Sequence, residues 1–159
     1  MPDINIKEIY DISRTALVQH GALDWVAGDV ASAIAASESV GNKICGLYYL
    51  ESYCEQLISG RVDGKAAPEI QLMRTGSVYV NAKDGFAQPA FSKGLPEALK
   101  VAQENGIASL SVGRAHTCTS LGYFTKKIAE AGFLALGLTN ASPIVCLLYT
   151  SDAADDSLR

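Results

Sequence analysis

The sequence predicts an α/β fold in which helices come first and strands follow, on three observations. Apolar residues recur at helical spacing through the first sixty positions, alternation takes over from Ile70 to Val80, and a turn-rich stretch from Arg61 to Pro68 separates the two patterns. The expected division is a helical segment over residues 1–62 and an α/β part over residues 69–145.

The first helix opens at Asn5, which forms with Ile6, Lys7 and Glu8 an Asn-x-x-Glu capping pattern. In it the Asn side chain takes a free N–H of the first turn and the Glu reaches back to the cap's own N–H. Ile6, Ile9, Ala16 and Leu17 make the apolar stripe, and Gly21 stops the helix. A second helix is expected from Leu23 to Ser39, with Trp25, Val30, Ile34 and several alanines at helical spacing and Gly41 beyond its end. A third is expected from Cys45 to Ser59, where Leu47, Leu50, Cys54 and Leu57 share a stripe that ends at Gly60. Ile70 and Leu72, then Val78 and Val80, alternate with polar neighbours across a Thr75-Gly76 turn, which predicts a β-hairpin. Helical spacing returns from Phe86 to Asn105 through Leu95, Leu99 and Ala102. Pro96 there either kinks the helix or begins a new one, because proline lacks the N–H that an interior position donates. Ile107 to Val112 reads as a short strand, Leu121 to Ala131 as an amphipathic helix closed by Gly132, and Phe133 to Leu138 as a further strand.

Hydrophobic residues make up 48% of the 159 and charged ones 19%, which is enough apolar surface to form a core and excludes a wholly disordered chain. The formal net charge is −4 and no basic run exceeds Lys126-Lys127, whereas a nucleic-acid partner requires basic charge gathered on one face. Asp24 and Asp29 interrupt the apolar stretch nearest the start, so neither a signal peptide nor a membrane span is expected, and the chain reads as cytoplasmic. Cys45, Cys54, Cys118 and Cys146 stand far apart and the histidines are His20 and His116, so both ligand spacing and His supply speak against a metal site. Scattered thiols suit a reducing compartment.

The C-terminal stretch reads differently. Cys146 to Asp156, Cys-Leu-Leu-Tyr-Thr-Ser-Asp-Ala-Ala-Asp-Asp, resembles the translation of a transposon-end sequencing adaptor. Residues 146–159 are therefore set aside from the fold, and the reading frame is expected to be cut short there.

Three ordered stretches carry a family resemblance. The first is Cys45-Gly46-Leu47 through Tyr53-Cys54-Glu55-Gln56-Leu57-Ile58-Ser59-Gly60-Arg61-Val62, and the second is Asp84-Gly85-Phe86-Ala87-Gln88-Pro89-Ala90. The third runs from Val112-Gly113-Arg114-Ala115-His116 through Leu121-Gly122-Tyr123-Phe124 and Ala129-Glu130-Ala131-Gly132-Phe133 to Thr139-Asn140-Ala141-Ser142-Pro143. Together they resemble the type 2 malate/L-lactate dehydrogenase family, which includes ureidoglycolate and sulfolactate dehydrogenases and cyclic imino-acid reductases. The resemblance implies a considerably longer chain, a mixed-sheet, non-Rossmann NAD(P)-binding domain of which only the start is present, NAD or NADP as cofactor, a small-molecule substrate, and a homodimer. The residues agree to this extent: no Gly-x-Gly-x-x-Gly follows a strand and no Lys-Ser/Thr phosphate loop occurs.

Oxidising a secondary alcohol needs a base near the hydroxyl, a donor or cation for a substrate carboxylate, and a hydride path to the nicotinamide. Histidine suits the base because its pKa lies near neutrality. His116 lies on a loop between a strand and a helix, where a rigid scaffold presents functional groups, and is the expected catalytic residue. The alternative is a histidine that steadies its loop by bonding backbone. By the resemblance, the family's proton acceptor falls one position later, on Thr117, with His116 in the first of two positions that commonly both hold histidine. The family's Ser-His-Gly is Ile44-Cys45-Gly46 here, and its carboxylate-gripping arginine is Tyr49. Cys45, Tyr49, Tyr53 and Thr117 are accordingly the expected substrate-binding residues. A thiol at a helix N-terminus is drawn toward the thiolate by the helix dipole, which makes Cys45 a candidate reactive thiol or weak donor, with an inert buried thiol as the alternative. Tyrosine cannot form the two-pronged charged pair of a guanidinium, but Tyr49 and Tyr53, four apart, can share a face and line a pocket. Asn140, Ala141 and Ser142 are the expected cofactor contacts, Ala141 through its backbone, the alternative being a strand-ending turn before Pro143. The hydroxyls of Thr117, Thr119 and Ser120 either accompany His116 or cap the helix at Leu121.

The expected function is the N-terminal part of an NAD(P)-dependent oxidoreductase that moves hydride between nicotinamide and a small 2-hydroxy acid, 2-oxo acid or cyclic imine, inactive as it stands. Two alternatives remain open. One is a non-catalytic dimerising or metabolite-binding relative that has lost the family's active-site His and Arg, and the other is a thiol-dependent enzyme using Cys45.

Overall fold

The computed structural model of the chain describes residues 4–140, so Ala141, Ser142 and the 146–159 stretch lie outside the described residues. The Asn5 cap forms as its chemistry implies: Asn5 Oδ1 accepts from the Lys7 N–H at 2.9 Å, and the Asn5 N–H donates to Glu8 Oε2 at 3.1 Å. From this cap α1 (Ile6–Gln19) runs to Gly21, whose φ of 103° suits a residue without a Cβ. Helix α2 (Asp24–Ser39) packs along α1, burying Val26, Ala27, Val30 and Ile34 against Ile9 and Leu17. Trp25, expected on the inward stripe, is 44% exposed, because the buried face of α2 passes through its neighbour Val26.

The third helix begins later than its periodicity suggests. Two 3₁₀ turns, Lys43–Cys45 and Leu47–Tyr49, precede α3 (Leu50–Ile58), and Gly46 between them is extended at φ −96°, ψ −134°. The cause lies in α2: the Glu38 carboxylate accepts the Leu47 N–H at 2.8 Å and fills the space where a Cβ at residue 46 would stand. The expected placement of Cys45 at a helix N-terminus is therefore corrected. Tyr53 and Cys54 of α3 are buried, and Leu47, Leu50 and Leu57 pack against the same helical core.

The hairpin stands where the Thr75-Gly76 turn places it, with β1 (Glu69–Arg74) antiparallel to β2 (Ser77–Asn81). Strand β3 (Ser109–Gly113) pairs parallel with β2, giving a mixed sheet of order β1-β2-β3. Parallel neighbours need a crossover, and α4 (Ala87–Asn105) supplies it. One helix continues past Pro96, so no second helix starts there. Helix α4 seats on β2 and β3, burying Val78 and Val80 completely, and leaves Leu72 and Met73 on the edge strand β1 exposed. Gly94 makes this seat possible, since a Cβ there would overlap the Val80 side chain and come within 3.0 Å of Leu110 Cδ1.

Helix α5 (Leu121–Glu130) ends before Gly132 at φ 87°. Phe133 to Leu138, expected as a strand, is not one: it pairs with no strand of the sheet, and Leu134, Leu136 and Leu138 are exposed. The segment instead folds back on α5, where the Phe133 N–H donates to Ile128 O at 3.3 Å and Gly137 lies against Thr125. Alternating apolar residues form a strand only where a free edge offers ladder partners, and α5 holds this segment elsewhere. Among the described residues no helix is long and apolar enough to cross a membrane.

Candidate active site

Three backbone segments lie side by side beyond the end of the β2/β3 ladder. The Asp63 N–H donates to Asp84 O at 3.0 Å, the Asp84 N–H to Arg114 O at 2.8 Å, and the His116 N–H to Gly85 O at 2.8 Å. Residues 84–86 and 114–116 thus continue the β2/β3 pairing, with Phe86 bridging His116 in parallel, and Asp63 adds a single bond on the far side of 84. Lys83, Asp84, Arg114 and Thr119 have φ between 51° and 63°, and such left-handed non-glycine residues cost of order 1 kcal/mol each. The Asp84–Arg114 ion pair, with Nε to Oδ1 at 3.3 Å, clips two of these corners together.

His116 is half-buried between the rings of Tyr53 and Phe86, at centroid distances of 5.9 and 5.8 Å. Tyr53 is wholly buried and also meets Tyr49 edge-on at 5.1 Å. Its hydroxyl donates to Thr119 Oγ1 at 3.2 Å and accepts from Gln88 Nε2 at 3.2 Å. Gln88 Nε2 reaches Cys118 O at 3.4 Å as well, and the Thr119 hydroxyl donates to that carbonyl at 2.7 Å. A buried amide at the first turn of α4 therefore ties α3 to the His116 loop. Burial pushes the Tyr53 phenol well above its ordinary range, against the pull of its Thr119 and Gln88 hydrogen bonds, so it stays protonated.

Two polar atoms of this cluster, His116 Nδ1 and Gln88 Oε1, are buried with no partner among the described residues. A buried polar atom left unpaired costs about 1–3 kcal/mol, which marks the cluster as a place where a ligand group or an ordered water belongs. Burial, and then the charge of Arg61, push the His116 imidazole below its ordinary pKa, so at neutral pH it is a neutral base.

That shift predicts a pH dependence of stability. The unfolded imidazole, near pKa 6.5, binds its proton before the folded one does, so His116 contributes no loss above about pH 6.5 and a growing loss below it. Stability measured by urea unfolding should fall on acidification from about pH 6.5 to 5, and fall less in His116→Gln. Parallel curves for the two proteins would rule out the buried neutral imidazole.

The structure gathers three of the expected residues in direct contact. His116, Tyr49 and Tyr53 share one cluster, and Cys45 lies near enough to Tyr53 to oppose its ionisation. Tyr48 points away and is 78% exposed. Thr117 is exposed on the rim, accepting the Thr119 N–H at 3.3 Å. Thr119 joins Tyr53, whereas Ser120 is the N-cap of α5 without a side-chain cap bond. Asn140 is exposed, and Thr139 beside it receives the Cys118 thiol at 3.6 Å, bringing the end of the described chain to the His116 loop. Sequence reasoning passed over Gln88, although it lies inside a quoted motif. The signal for Gln88 was an amide among Phe86, Ala87, Pro89 and Ala90, where burial forces a polar group to find partners.

Comparison with known proteins gives a consistent neighbourhood. A family model described as malate/L-lactate dehydrogenase matches residues 4–154. The chain is 30% identical over 142 residues to a Δ1-pyrroline-2-carboxylate/Δ1-piperideine-2-carboxylate reductase of Pseudomonas syringae pv. tomato, covering 89% of this chain and 41% of that protein. It is 27% identical over 144 residues to an NAD(+) ureidoglycolate dehydrogenase of Escherichia coli K12, covering 89% and 41%. It is 30% identical over 139 residues to an NADP(+) (2R)-3-sulfolactate dehydrogenase of Chromohalobacter salexigens, covering 87% and 41%. A crystal structure of Δ1-piperideine-2-carboxylate reductase from Pseudomonas syringae superposes with a TM-score of 0.80 at 30% identity, over 83% of this chain and 40% of that one. The chain thus spans about two fifths of the length of the curated relatives it matches.

Proposed function

The chain belongs to the malate/L-lactate dehydrogenase family, whose members similar to it are NAD(P)-dependent oxidoreductases, and on that premise we propose that it forms the N-terminal part of such an enzyme. The reaction is hydride transfer between nicotinamide and a small 2-hydroxy acid, 2-oxo acid or cyclic imine. The observation that carries this reading is the neutral, half-buried His116, whose Nδ1 has no partner among the described residues, set against a protonated Tyr53.

The donor set suits the reacting end of a nicotinamide and a small substrate. His116 Nδ1 and Gln88 Oε1 are unmet, and Thr117 and Asn140 are exposed at the rim. Asn140, with the backbone at Ala141 and the Ser142 hydroxyl, would hold the nicotinamide. When bound, the nicotinamide supplies or accepts the hydride. In alcohol oxidation the His116 imidazole takes the hydroxyl proton as the carbonyl forms, and in reduction the imidazolium returns it to the developing alkoxide or amine nitrogen. Tyr53 holds the imidazole's flank and excludes water from it, while Gln88 and Thr119 keep the Tyr53 hydroxyl in place. A homodimer and a cytoplasmic setting belong to the same reading.

The test is titration of the purified chain and of a family-length protein carrying it with NADH and NADPH, followed by assay with 2-oxo acids and with Δ1-piperideine-2-carboxylate. The expected result is saturable binding and turnover of the family-length protein. Failure of the family-length protein to bind either cofactor at millimolar concentration would favour the non-catalytic metabolite-binding alternative, to which Cys45 and Tyr49, standing where the family's His and Arg are expected, lend support.

A further inference from the structure

We propose that Gln88 is the positioning residue of the His116 loop, acting through a closed ring of hydrogen bonds in which every hydrogen has one direction. The inference rests on the oxidoreductase reading above and deepens it by naming what holds the base in place. The ring has four members: the Gln88 amide, the Tyr53 and Thr119 hydroxyls and the Cys118 carbonyl. A carbonyl only accepts, so the group that Gln88 turns toward Cys118 O, 3.4 Å away, is its NH2 and not its oxygen. That fixes the rest. The same nitrogen donates to the Tyr53 hydroxyl oxygen at 3.2 Å, and the one hydrogen of that hydroxyl goes on to Thr119 Oγ1 at 3.2 Å. The Thr119 hydroxyl gives its own hydrogen to Cys118 O at 2.7 Å, which closes the ring. Both amide hydrogens and both hydroxyl hydrogens are thereby engaged. Tyr53 has no hydrogen left for a substrate, so the ring leaves proton transfer to His116 and makes Tyr53 a fixed wall beside it.

What the ring holds is a strained loop. Thr119 stands at φ 55°, a left-handed conformation that is rare for a β-branched residue and persists only where its surroundings enforce it. Its restraints are the two ring bonds of its hydroxyl and an N–H bond to Thr117 Oγ1 at 3.3 Å. At the other end of the loop the His116 N–H donates to Gly85 O at 2.8 Å. Gln88 follows two residues after Phe86, the residue that bridges His116, so the start of α4 grips the loop at both 116 and 118. Tyr53 carries the grip across to α3, and its ring flanks the imidazole at a centroid distance of 5.9 Å. Gln88 is wholly buried and its Oε1 has no partner among the described residues, so the amide leaves one atom unmet while both its hydrogens serve the ring. An apolar side chain of the same length would avoid that penalty. It would also open the ring into a chain that no longer reaches α4.

The test reads the His116 ring by nuclear magnetic resonance in the 159-residue chain, with His20, held by a local contact in α1, as the internal control. Gln88→Met keeps the length of the side chain and removes both donors, and Tyr53→Phe removes the hydroxyl while keeping the aromatic wall. Each variant is expected to move the His116 ring signals toward those of an unstructured histidine and to leave His20 in place. The double variant should go no further than the larger single change, because a closed ring opens only once. In a family-length protein each variant should lower kcat roughly tenfold or more with nicotinamide affinity nearly unchanged, since a displaced base slows the proton step and not cofactor binding. Should Gln88→Met fail to fold, Tyr53→Phe decides alone. His116 signals that stay in place, or changes that add in the double variant, would overturn the proposal. So would moved signals with unchanged kcat in an active family-length protein. Failure of the oxidoreductase reading looks different: a family-length protein without turnover would remove that reading, and the histidine signals would still decide whether the ring holds the loop.

Discussion

Replacing His116 by alanine is expected to lower kcat of the family-length protein by about a hundredfold or more, a hundredfold being the lower end of what a positioned general base or acid contributes. Nicotinamide affinity should change far less, because the imidazole sits against Tyr53 and Phe86 and acts on the transferred proton. His116→Asn should not restore the rate, since an amide fills the space but takes no proton near neutrality. Steady-state kinetics beside cofactor titration separates these effects. Unchanged kcat in both variants would remove His116 from the mechanism and leave the ring a packing role between Tyr53 and Phe86. His20 is the natural comparison: its Nδ1 lies 2.6 Å from Ala16 O in the last turn of α1, a purely local contact, and its replacement should leave kcat alone.

The largest effect on stability is expected at Gly94. Helix propensity alone would make a larger residue there favourable, because glycine in a helix interior costs about 1 kcal/mol relative to alanine. Packing decides against it. A Cβ at this position overlaps Val80, which is wholly buried and has no open space to move into, and crowds Leu110 as well. Gly94→Val should destabilise by about 3 kcal/mol through overpacking, seen as a lower urea midpoint with an unchanged slope. Gly122→Ala in α5, where the new Cβ meets only Ser120 Oγ at an ordinary 3.7 Å, should be neutral or stabilising. A Gly94→Val protein as stable as its parent would mean that α4 does not rest on β2 and β3 as described. The same shift of α4 would displace Gln88 at its first turn, so a loss of site geometry should accompany the loss of stability.

The cluster around His116 was partly legible in the linear sequence. Tyr49 and Tyr53 could be placed together because four residues is one helical turn, and His116 could be set on a loop because a strand pattern precedes it and a helix pattern follows. What periodicity cannot register is a hydrogen bond across a long separation. Gln88 Nε2 reaches Tyr53 from 35 positions further along, and the Tyr53 hydroxyl donates to Thr119, 66 positions further along. Cys45 shows the reverse error. Its apolar stripe suggested one helix from Cys45 onward, but a carboxylate from α2 takes the Leu47 N–H and holds Gly46 extended, which moves the helix start to Leu50.

The sequence by itself determined the order of the elements, the caps and stops of its helices, the hairpin turn and the family, because each is written in contacts between near neighbours or in the spacing of ordered motifs. Asn5 with Glu8, and Gly21, Gly60 and Gly132 at positive φ, act within a turn of their own position. The tertiary structure alone decided which apolar runs would find a sheet edge, leaving Phe133 to Leu138 outside the sheet, and which polar groups would meet. It brought Gln88, Tyr53, Thr119 and His116 into one cluster, since the stitching of 84–86 to 114–116 depends on backbone groups that no local pattern pairs.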